Sequence, residues 1–562
     1  MARLRSRLGA PSSSGFKVWY QSDKTSATVT IEVRVIGAAF ALADTQTVDG
    51  TKADTAVLTV TGLLPATEYE YRLLEDAVEQ TKNITWTMPT SGRYFVYALS
   101  DLHGALDRQA FARALTHFEA VVEPLNIPAF VLYFGDLFQI QGPSNKTLAT
   151  AGNALGLVLD DADVAPVMQR LPFVYMFDDW DWGGDNSHAN ANRFAVAADA
   201  ATFQDYYWRD RPSDASPSFG FHHVIADVPF IMLDGRSQKE TNTTTLQGVP
   251  SFTVNNTYPD DVNATMLGQV QRDWAIARLQ EHNEKGAVFL ITCTTFKDRL
   301  GRATFNDLDI GVGSRDGWGG YYIGERNHIL TEGCVNYGYA ARNNLIVLSG
   351  DDHYNVVWDW TPCLDITTLG LAPGGPAAVS GPMPPLPGNL KFREFKTRCI
   401  AEQLLANEAE KYGGTDGNFG VAWVQDTAAA LGGLIIFDIT SLNQGKNVSV
   451  RALYIDRDTG DPLKNAAGTD GDFYLQNGNW SAFDGSTTGS GTQTYPPENG
   501  QGPIQFRRSF LDDVYGTLDK EHLLMRDFDG RLVHVDRVDE ASRDKLLETH
   551  EPPVEAPLEP IE

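Results

Sequence analysis

Five continuous apolar runs, separated by segments with helical spacing, constrain this chain most strongly. The runs cover residues 94–99, 130–134, 173–177, 287–292 and 344–348. A strand that is apolar at every position is typical of a sheet buried on both faces. Apolar residues recur at helical spacing over 110–122 and 267–279, and more weakly over 155–168, which contains Gly156 and Pro166. Strands that alternate with helices predict an α/β core with helices packed on sheets.

Acidic side chains follow four of these runs within three residues, and histidines stand beside the first and last acid. The residues in this pattern are Asp101, His103, Asp136, Asp179, Asp351 and His353. Open α/β sheets bind ligands at the carboxyl edge, so we expect strand-end side chains to meet there. Aspartate also caps loops after strands, which explains one or two of the acids but not the histidines. Carboxylates and imidazoles bind divalent and trivalent cations, so the pattern predicts a metal site.

The predicted metal site favours one kind of chemistry. Two cations sit ~3.5–4 Å apart when one carboxylate bridges them, and together they polarise a phosphoryl oxygen and generate hydroxide near neutral pH. Such a site needs no serine or cysteine nucleophile. The sequence has neither a Gly-x-Ser-x-Gly elbow nor a glycine-rich lysine loop for phosphate.

The N-terminal part has a different pattern. Short alternating or β-branched runs cover 16–20, 27–33 and 56–60, with no helical period between them. The segment 63–72 has a proline turn followed by a Tyr-x-Tyr strand, as in the tyrosine corner of immunoglobulin-like sandwiches. We therefore predict a small all-β domain over 15–92 that resembles fibronectin type III and immunoglobulin-like domains.

The remaining boundaries follow from composition. We predict a tail at 1–14, a catalytic α/β domain at 93–457 and a partly irregular C-terminal extension at 458–549. Within the catalytic domain, 361–420 is rich in glycine and proline and is predicted to be a long surface loop. The acidic, proline-rich end at 550–562 is predicted to be disordered.

Charge and composition narrow the functional class and the location. The chain has 562 residues and a formal net charge of −28, which opposes binding to nucleic acids. This charge serves either solubility or the attraction of divalent cations. No apolar run is long enough to span a membrane, and the basic start lacks the apolar stretch of a signal peptide. Seven Asn-x-Ser/Thr sequons nevertheless favour a secreted or cell-surface glycoprotein.

Four cysteines add a further, weaker indication of an extracellular protein. A disulfide between Cys363 and Cys399 would close the loop rich in glycine and proline, but Cys293, Cys334 and these two can equally all be buried thiols. The sequence fixes neither the pairing nor the oligomeric state.

Several motifs, in order along the chain, resemble those of a known family. They are Asp-Leu-His-Gly at 101–104, Gly-Asp at 135–136, Asp-Asp-Trp-Asp at 178–181, Leu-Asp-Gly-Arg at 233–236, Leu-Gly-Gln-Val-Gln-Arg-Asp-Trp at 267–274, Trp-Gly-Gly-Tyr at 318–321 with Glu-Arg at 325–326, and Gly-Asp-Asp-His at 350–353. This set resembles the calcineurin-like metallophosphoesterase superfamily and, more narrowly, the alkaline phosphatase D (PhoD-like) family. The resemblance implies a four-layer metallophosphoesterase β-sandwich flanked by helices.

The resemblance also implies two ligand sets that share Asp136. The first cation, Fe or Zn, would take Asp101, His103, Asp136 and His353. The second, Ca, Mn or Mg, would take Asp136, Asp179 and Asp351. Many relatives have a tyrosine three residues after the Gly-Asp motif, where this chain has Gln139. His103 compensates for that exchange.

One departure from the family weakens the prediction of catalysis. Trp180 stands where the superfamily has a histidine that assists the leaving group, and tryptophan cannot transfer a proton. We predict that Asp136 and Asp179, with Arg236, His188 or His223, take part in catalysis. The predicted substrate contacts are Trp180, Trp182, Asn186, Trp318 and Tyr321. An arginine near acids, a lone histidine or an aromatic cluster is more often structural.

Two functions are therefore compatible with the sequence. The first is metal-dependent hydrolysis of a small phosphate ester, either a monoester or a diester. The second is a catalytically weakened phosphoesterase fold that acts as a metal-stabilised structural or binding protein at the cell surface.

Overall fold

Two large sheets carry the five apolar runs in the computed structural model. It describes residues 5–102, 107–138, 148–182, 202, 205–211, 214–215, 219–239, 265–294, 296, 318, 322–339, 343–351, 355–359, 390, 392–397, 421–425, 432–476, 479–482, 523–526 and 532–535. The chain forms two units, Met1–Ala482 and Phe483–Glu562. Among the described residues, no helix is both long and apolar enough to cross a membrane.

The secondary structure is mainly β. The strands are β1 Arg5–Ser12, β2 Gly15–Gln21, β3 Thr28–Val35, β4 Ala41–Thr47, β5 Thr55–Val60, β6 Glu68–Glu75, β7 Val78–Trp86, β8 Gly92–Leu99, β9 Ala129–Phe134, β10 Phe173–Met176, β11 Asp214–Ala215, β12 Phe221–Ile225, β13 Val228–Leu233, β14 Val288–Thr292, β15 Leu345–Ser349, β16 Val356–Asp359, β17 Arg393–Lys396, β18 Val421–Val424, β19 Gly433–Leu442, β20 Asn447–Asp456, β21 Asp472–Gln476, β22 Asn479–Ala482, β23 Leu523–Arg526 and β24 Leu532–Val535. The helices are α1 Gln109–His117, α2 Leu148–Leu159, α3 Ala165–Arg170, α4 Asp179–Trp182, α5 Gly268–Glu281 and α6 Ile323–Gly333.

Two sheets face each other in the first unit. One has the order β22-β21-β20-β19-β8-β9-β10-β1-β2-β5, and the other has the order β11-β12-β13-β14-β15-β17-β16-β18. Aromatic side chains join their inner faces, as in the contacts Phe130–Phe230 at 5.6 Å and Phe289–Phe437 at 5.5 Å between ring centroids. The apolar surface buried here provides the main driving force for this packing.

Helices cover the outer faces of both sheets. On the first sheet, Phe111 of α1 stacks on Tyr133 of β9 with centroids 5.6 Å apart. On the second, α5 and α6 contribute Leu279 and Leu330 to a buried cluster with Leu290 of β14. The described residues thus build helix, sheet, sheet and helix layers, in agreement with the predicted mixed α/β architecture.

The five apolar runs form β8, β9, β10, β14 and β15, as predicted. The helix predicted at 267–279 is α5. The helix predicted at 110–122 ends as an α-helix at His117 and continues as a π-helical turn, Phe118–Val122. The helix predicted at 155–168 was wrong as a single element, because α2 ends at Leu159 and a separate helix, α3, follows with Pro166 in its first turn. Proline fits the first turn of a helix but not its interior.

The predicted tail at 1–14 was wrong for β1. This strand pairs in parallel with β10, with Gly9 opposite Phe173, and antiparallel with β2. Arg7 of β1 forms a buried ion pair with Asp210 at 2.7 Å. The segment lacks an apolar run because charged pairs, rather than apolar contacts alone, hold it in place.

The N-terminal strands form two layers around a shared core. The sheet β4-β3-β6-β7 faces β1, β2 and β5, and both layers contribute to one buried apolar cluster. The backbone N–H of Leu64 donates a hydrogen bond of 2.8 Å to the hydroxyl of Tyr69, as in a tyrosine corner. Because β1, β2 and β5 continue the ten-stranded sheet, this region shares a sheet with β8, β9 and β10. Its relation to fibronectin type III stays a prediction.

Two further boundaries differ from the prediction. Inside the predicted loop at 361–420, β17 forms a strand between β15 and β16 and runs parallel to β15. Beyond the predicted boundary at 457, β21 pairs with β20 and β22 pairs with β21. In the second unit, the described residues form a hairpin of β23 and β24. Short strands among glycines and prolines leave too weak a pattern for sequence analysis.

Candidate metal centre

Acids from four strand ends form the core of this site. Asp101 follows β8, Asp136 follows β9, Asp178 and Asp179 follow β10, and Asp351 follows β15. One carboxylate oxygen from each of Asp136, Asp178 and Asp179 lies within 4.8 Å of the others. These three side chains are at most 2% exposed. The predicted convergence at the carboxyl edge is therefore present for the described acids.

The backbone at the strand ends is strained and interlinked. Asp101, Asp136 and Asp351 have φ angles of +58°, +60° and +74°, in the left-handed region that non-glycine residues rarely adopt. The N–H of Asp101 donates to the carbonyl of Gly135 at 3.0 Å. The N–H of Asp351 donates to Oδ1 of Asp101 at 2.9 Å. Strain of this kind clusters at functional sites, where the surrounding structure holds it in place.

Gly135 allows the close approach of two strand ends, and its replacement tests that packing. Its φ is +116°, and a Cβ atom built on it would lie 2.7 Å from Cβ of Asp178. We expect Gly135→Ala to lower the free energy of unfolding by about 2 kcal/mol or more, as measured by urea unfolding.

Gly37 provides the matched control for Gly135→Ala. Its φ is +86°, but a Cβ atom there meets nothing within 4 Å. Gly37→Ala should therefore cost only the backbone strain, about 1 kcal/mol. Equal losses for the two variants would show that the contact with Asp178 is unimportant.

Burial makes the charged forms of these acids costly. It raises the pKa of Asp101 to about 7, while the charge of Lys396 opposes this rise. Burial, followed by the charge of Asp179, raises the pKa of Asp136 well above its ordinary value. Several buried carboxylates at such short range require either protons or cations.

The raised pKa of Asp101 predicts how stability varies with pH in metal-free protein. An acid whose pKa is higher in the folded state stabilises folding while protonated, and this contribution is lost as the pH rises from about 4 to about 7. The unfolding free energy of the wild type should fall between pH 5 and pH 7. In Asp101→Asn, we expect this fall to be smaller by roughly 2 kcal/mol. Urea unfolding in the presence of a chelator measures both slopes. Parallel slopes would show that Asp101 titrates normally.

The donor set fits a metal ion. Oδ2 of Asp178 is buried, and the described part of the chain offers it no hydrogen-bond donor. Carboxylate oxygens are the ligands that hard cations prefer, and a cation would offset the repulsion among these acids. His103 and His353 lie outside the described residues, so their contribution as ligands stays a prediction.

Arg236 lies among the acids. It is fully buried, and its Nε donates to Oδ1 of Asp178. Its Nη2 lies 3.5 Å from Oδ1 of Asp351 and 4.0 Å from Oδ2 of Asp179. The N–H of Arg236 donates to Oδ1 of Asp234 at 3.0 Å, which fixes the turn after β13. Arg236, which the sequence analysis predicted to take part in catalysis, therefore lies beside the acids and contacts their carboxylates.

Trp180 also lies at the acidic centre. It is half-buried, and its backbone N–H donates to Oδ1 of Asp136 at 3.2 Å. Next to it, Asp181 accepts backbone hydrogen bonds from Phe138 at 2.8 Å and from Asp178 at 3.0 Å. Asp181 thus joins the ends of β9 and β10 and holds the acids at one place.

Three of the predicted catalytic and substrate residues lie elsewhere. His223 is paired opposite Phe230, three residues before the end of β13 and thus about 10 Å from the carboxyl edge. Trp182 is buried against Phe177 with ring centroids 5.1 Å apart, and Trp318 is buried with its Nε1 donating to Thr292 at 3.0 Å. These tryptophans pack in the core, because their large apolar surface is better buried than exposed. Three further candidates, His188, Asn186 and Tyr321, lie outside the described residues.

Three further residues, Asp178, Cys293 and Lys396, lie beside the predicted acids. The sequence motif already contains Asp178, which is the first of two adjacent acids after β10. Burial and the charge of Asp178 raise the pKa of the Cys293 thiol, which follows β14. Lys396 is fully buried at the end of β17. No pattern pointed to Lys396, because its segment is predicted as a loop.

Two facing sheets with an acidic centre at their carboxyl edges agree with the metallophosphoesterase fold that the sequence motifs imply. Residues 139–379 match the model of the PhoD-like phosphatase family. The solved structure of PhoD superposes with a TM-score of 0.58 at 14% identity, covering 91% of this chain and 96% of that chain. This likeness shows the shared fold.

A second solved structure is the purple acid phosphatase PPD1 from seeds of yellow lupin (Lupinus luteus). It superposes with a TM-score of 0.48 at 10% identity, covering 84% of this chain and 74% of that chain. No functionally curated protein matches the sequence.

Proposed function

We propose that the protein hydrolyses small phosphate esters at a centre that binds two metal ions. The observation that carries this proposal is a set of acids at four strand ends, of which Asp351 is half-buried and the others, Asp101, Asp136, Asp178 and Asp179, are buried. Arg236 offsets part of this negative charge, and each remaining buried charge would cost several kcal/mol without a further cation. Bound cations would polarise the phosphoryl oxygens and provide hydroxide near neutral pH.

The two ions would share Asp136. Asp101 and Asp136, with His103 and His353, would hold an ion that accepts nitrogen ligands, such as Fe or Zn. Asp179 and Asp351, with Asp136, would hold an ion that prefers oxygen ligands, such as Ca, Mn or Mg. Trp180 supports this arrangement, because its N–H lies between two of these acids, donating to Oδ1 of Asp179 at 2.6 Å and to Oδ1 of Asp136 at 3.2 Å.

The protein groups near the reaction favour substrates with good leaving groups. Where relatives have a histidine that protonates the departing oxygen, this chain has Trp180, whose indole is too weak an acid to replace it. Aryl esters and activated diesters leave without that proton, whereas alkyl monoesters depend on it. We therefore propose a preference for esters of acidic alcohols. The indole of Trp180 would border the substrate, and the guanidinium of Arg236 would donate to a phosphoryl oxygen.

Trp180 also supports a second function. Without the proton donor, the same acids would hold metal as a structural element of a binding protein at the cell surface. Both functions are compatible with secretion, which the sequons favour.

One pair of measurements separates the two functions. Elemental analysis of purified protein gives the metal content, and hydrolysis of an aryl phosphate monoester and diester gives the turnover. Two ions per chain with turnover would support the hydrolase, and metal without turnover would support the binding protein. Protein that neither retains nor rebinds metal would contradict both.

A further inference from the structure

Arg236 contacts the same acids that the second cation would need. Its Nη2 lies 3.5 Å from Asp351 and 4.0 Å from Asp179, the two acids assigned to the second ion alone. Its Nε is paired with Asp178. A fixed positive charge therefore already neutralises part of this half of the centre.

The position of Arg236 is fixed from both ends of the residue. At the backbone, Asp234 accepts the N–H groups of Arg236 at 3.0 Å and of Ser237 at 2.9 Å. Gln271 of α5 holds Asp234 in turn, accepting its N–H at 2.8 Å and donating to its carbonyl at 2.9 Å. At the other end, the paired side chains of Arg236 and Asp178 are both fully buried. The guanidinium is thus held in place and cannot move freely into solvent.

The guanidinium of Arg236 and a metal ion at the second position would repel each other at these carboxylates. Charges of the same sign about 4 Å apart repel strongly in a buried environment, where little water screens them. An incoming ion must therefore displace Nη2 of Arg236 from Asp179 and Asp351, or bind against its charge. The contacts of Arg236 described above involve Asp178 and the two acids of the second ion, so we expect the second ion to meet the stronger opposition.

We propose that Arg236 is a built-in competitor for the second metal ion. This inference rests on the proposed function and concerns how the two positions differ. Arg236 pairs with Asp179 and Asp351 while the second position lacks an ion, and it keeps only Asp178 when an ion binds. The first ion is consequently held tightly, whereas the second exchanges with the solution. Release from the two acids also leaves Nη2 able to donate to a phosphoryl oxygen.

Titration of metal-stripped, full-length protein with Mn²⁺ tests this idea. Isothermal titration calorimetry should resolve a tight and a weak binding event in the wild type. In Arg236→Met, we expect the dissociation constant of the weak event to fall at least tenfold, equivalent to about 1.4 kcal/mol. The tight event should change much less. A weak event that stays the same or weakens further in Arg236→Met would overturn the proposal.

Arg7→Met is the matched control. Arg7 is also a buried arginine in an ion pair, with Asp210 at 2.7 Å, and its loss changes the net charge by the same amount. We expect both Mn²⁺ dissociation constants to be unchanged in this variant. An equal tightening in Arg7→Met would assign the effect to net charge and would contradict the competitor role.

A double variant covers the case in which Arg236→Met fails to fold because Asp178 is left unpaired. Asp178→Asn with Arg236→Met removes both charges of the buried pair and leaves the net charge of the wild type. The weak event should still tighten, and its failure to do so would count against the proposal.

Wild-type protein that binds no Mn²⁺ and hydrolyses no aryl phosphate would instead refute the proposed function. Hydrolysis by the wild type, together with an unaltered Mn²⁺ affinity in the Arg236 variants, would refute only the competitor.

Discussion

Asp136→Asn should abolish metal retention and lower kcat/KM for an aryl phosphate by on the order of 10³ or more. Asp136 contributes to both proposed ligand sets, so its loss affects both positions at once. Asparagine has nearly the same shape and can still accept the N–H of Trp180, which donates to Oδ1 at 3.2 Å. The neutral amide also removes one member of a group of mutually repelling acids. We therefore expect the fold to survive while metal and activity are lost.

The controls for Asp136→Asn separate loss of metal from loss of structure. Asp23→Asn removes an exposed aspartate of the N-terminal strands and should leave metal content and turnover unchanged. Circular dichroism and urea unfolding of metal-free Asp136→Asn should show a folded protein at least as stable as metal-free wild type. An unaltered metal content in Asp136→Asn would mean that the acidic centre is not the metal site.

Trp180→His should raise turnover of alkyl phosphate monoesters at least tenfold. General acid catalysis typically contributes 10²–10⁴-fold, and the variant would restore a group that can transfer a proton. The backbone of residue 180 is already fixed by its hydrogen bond to Asp136, so the new imidazole starts beside the centre. Because aryl diesters need less protonation of the leaving group, their turnover should change by a smaller factor.

Trp180→Phe is the control for the proton. Phenylalanine is smaller than tryptophan and cannot transfer a proton, so it enlarges the space near Asp136 without adding acid catalysis. The dependence of kcat on pH should gain a new basic limb in Trp180→His and not in Trp180→Phe. A similar gain in both variants would indicate that tryptophan merely obstructs the substrate.

Sequence patterns predicted which strand ends carry the acids, because that placement follows from local rules. Buried parallel strands are apolar throughout, and side chains just after them meet at one edge. Asp101, Asp136 and Asp179 were found in this way. Asp178 was visible in the same motif, but a pair of adjacent acids does not reveal which one faces Arg236.

The parts that sequence analysis missed depend on contacts between distant segments. β17 is only four residues long and lies in a stretch rich in glycine and proline, so its place between β15 and β16 has no local signal. Lys396 was missed with it. Trp182 and Trp318 were predicted to contact substrate, but the apolar neighbours that bury them come from other elements. His223 was misplaced because a histidine on a strand carries no information about distance from the edge.

The parallel pairing of β1 with β10 bears on how this protein can be shortened for expression. A version starting at residue 15 follows the apparent domain boundary, yet it removes the strand that lies between β10 and β2. The backbone of β10 would then present unpaired N–H and C=O groups, which invite edge-to-edge association. β10 also leads directly into Asp178 and Asp179. Poor solubility or lost activity in such a truncated protein would therefore reflect an opened sheet and would say nothing about a function of the N-terminal strands themselves.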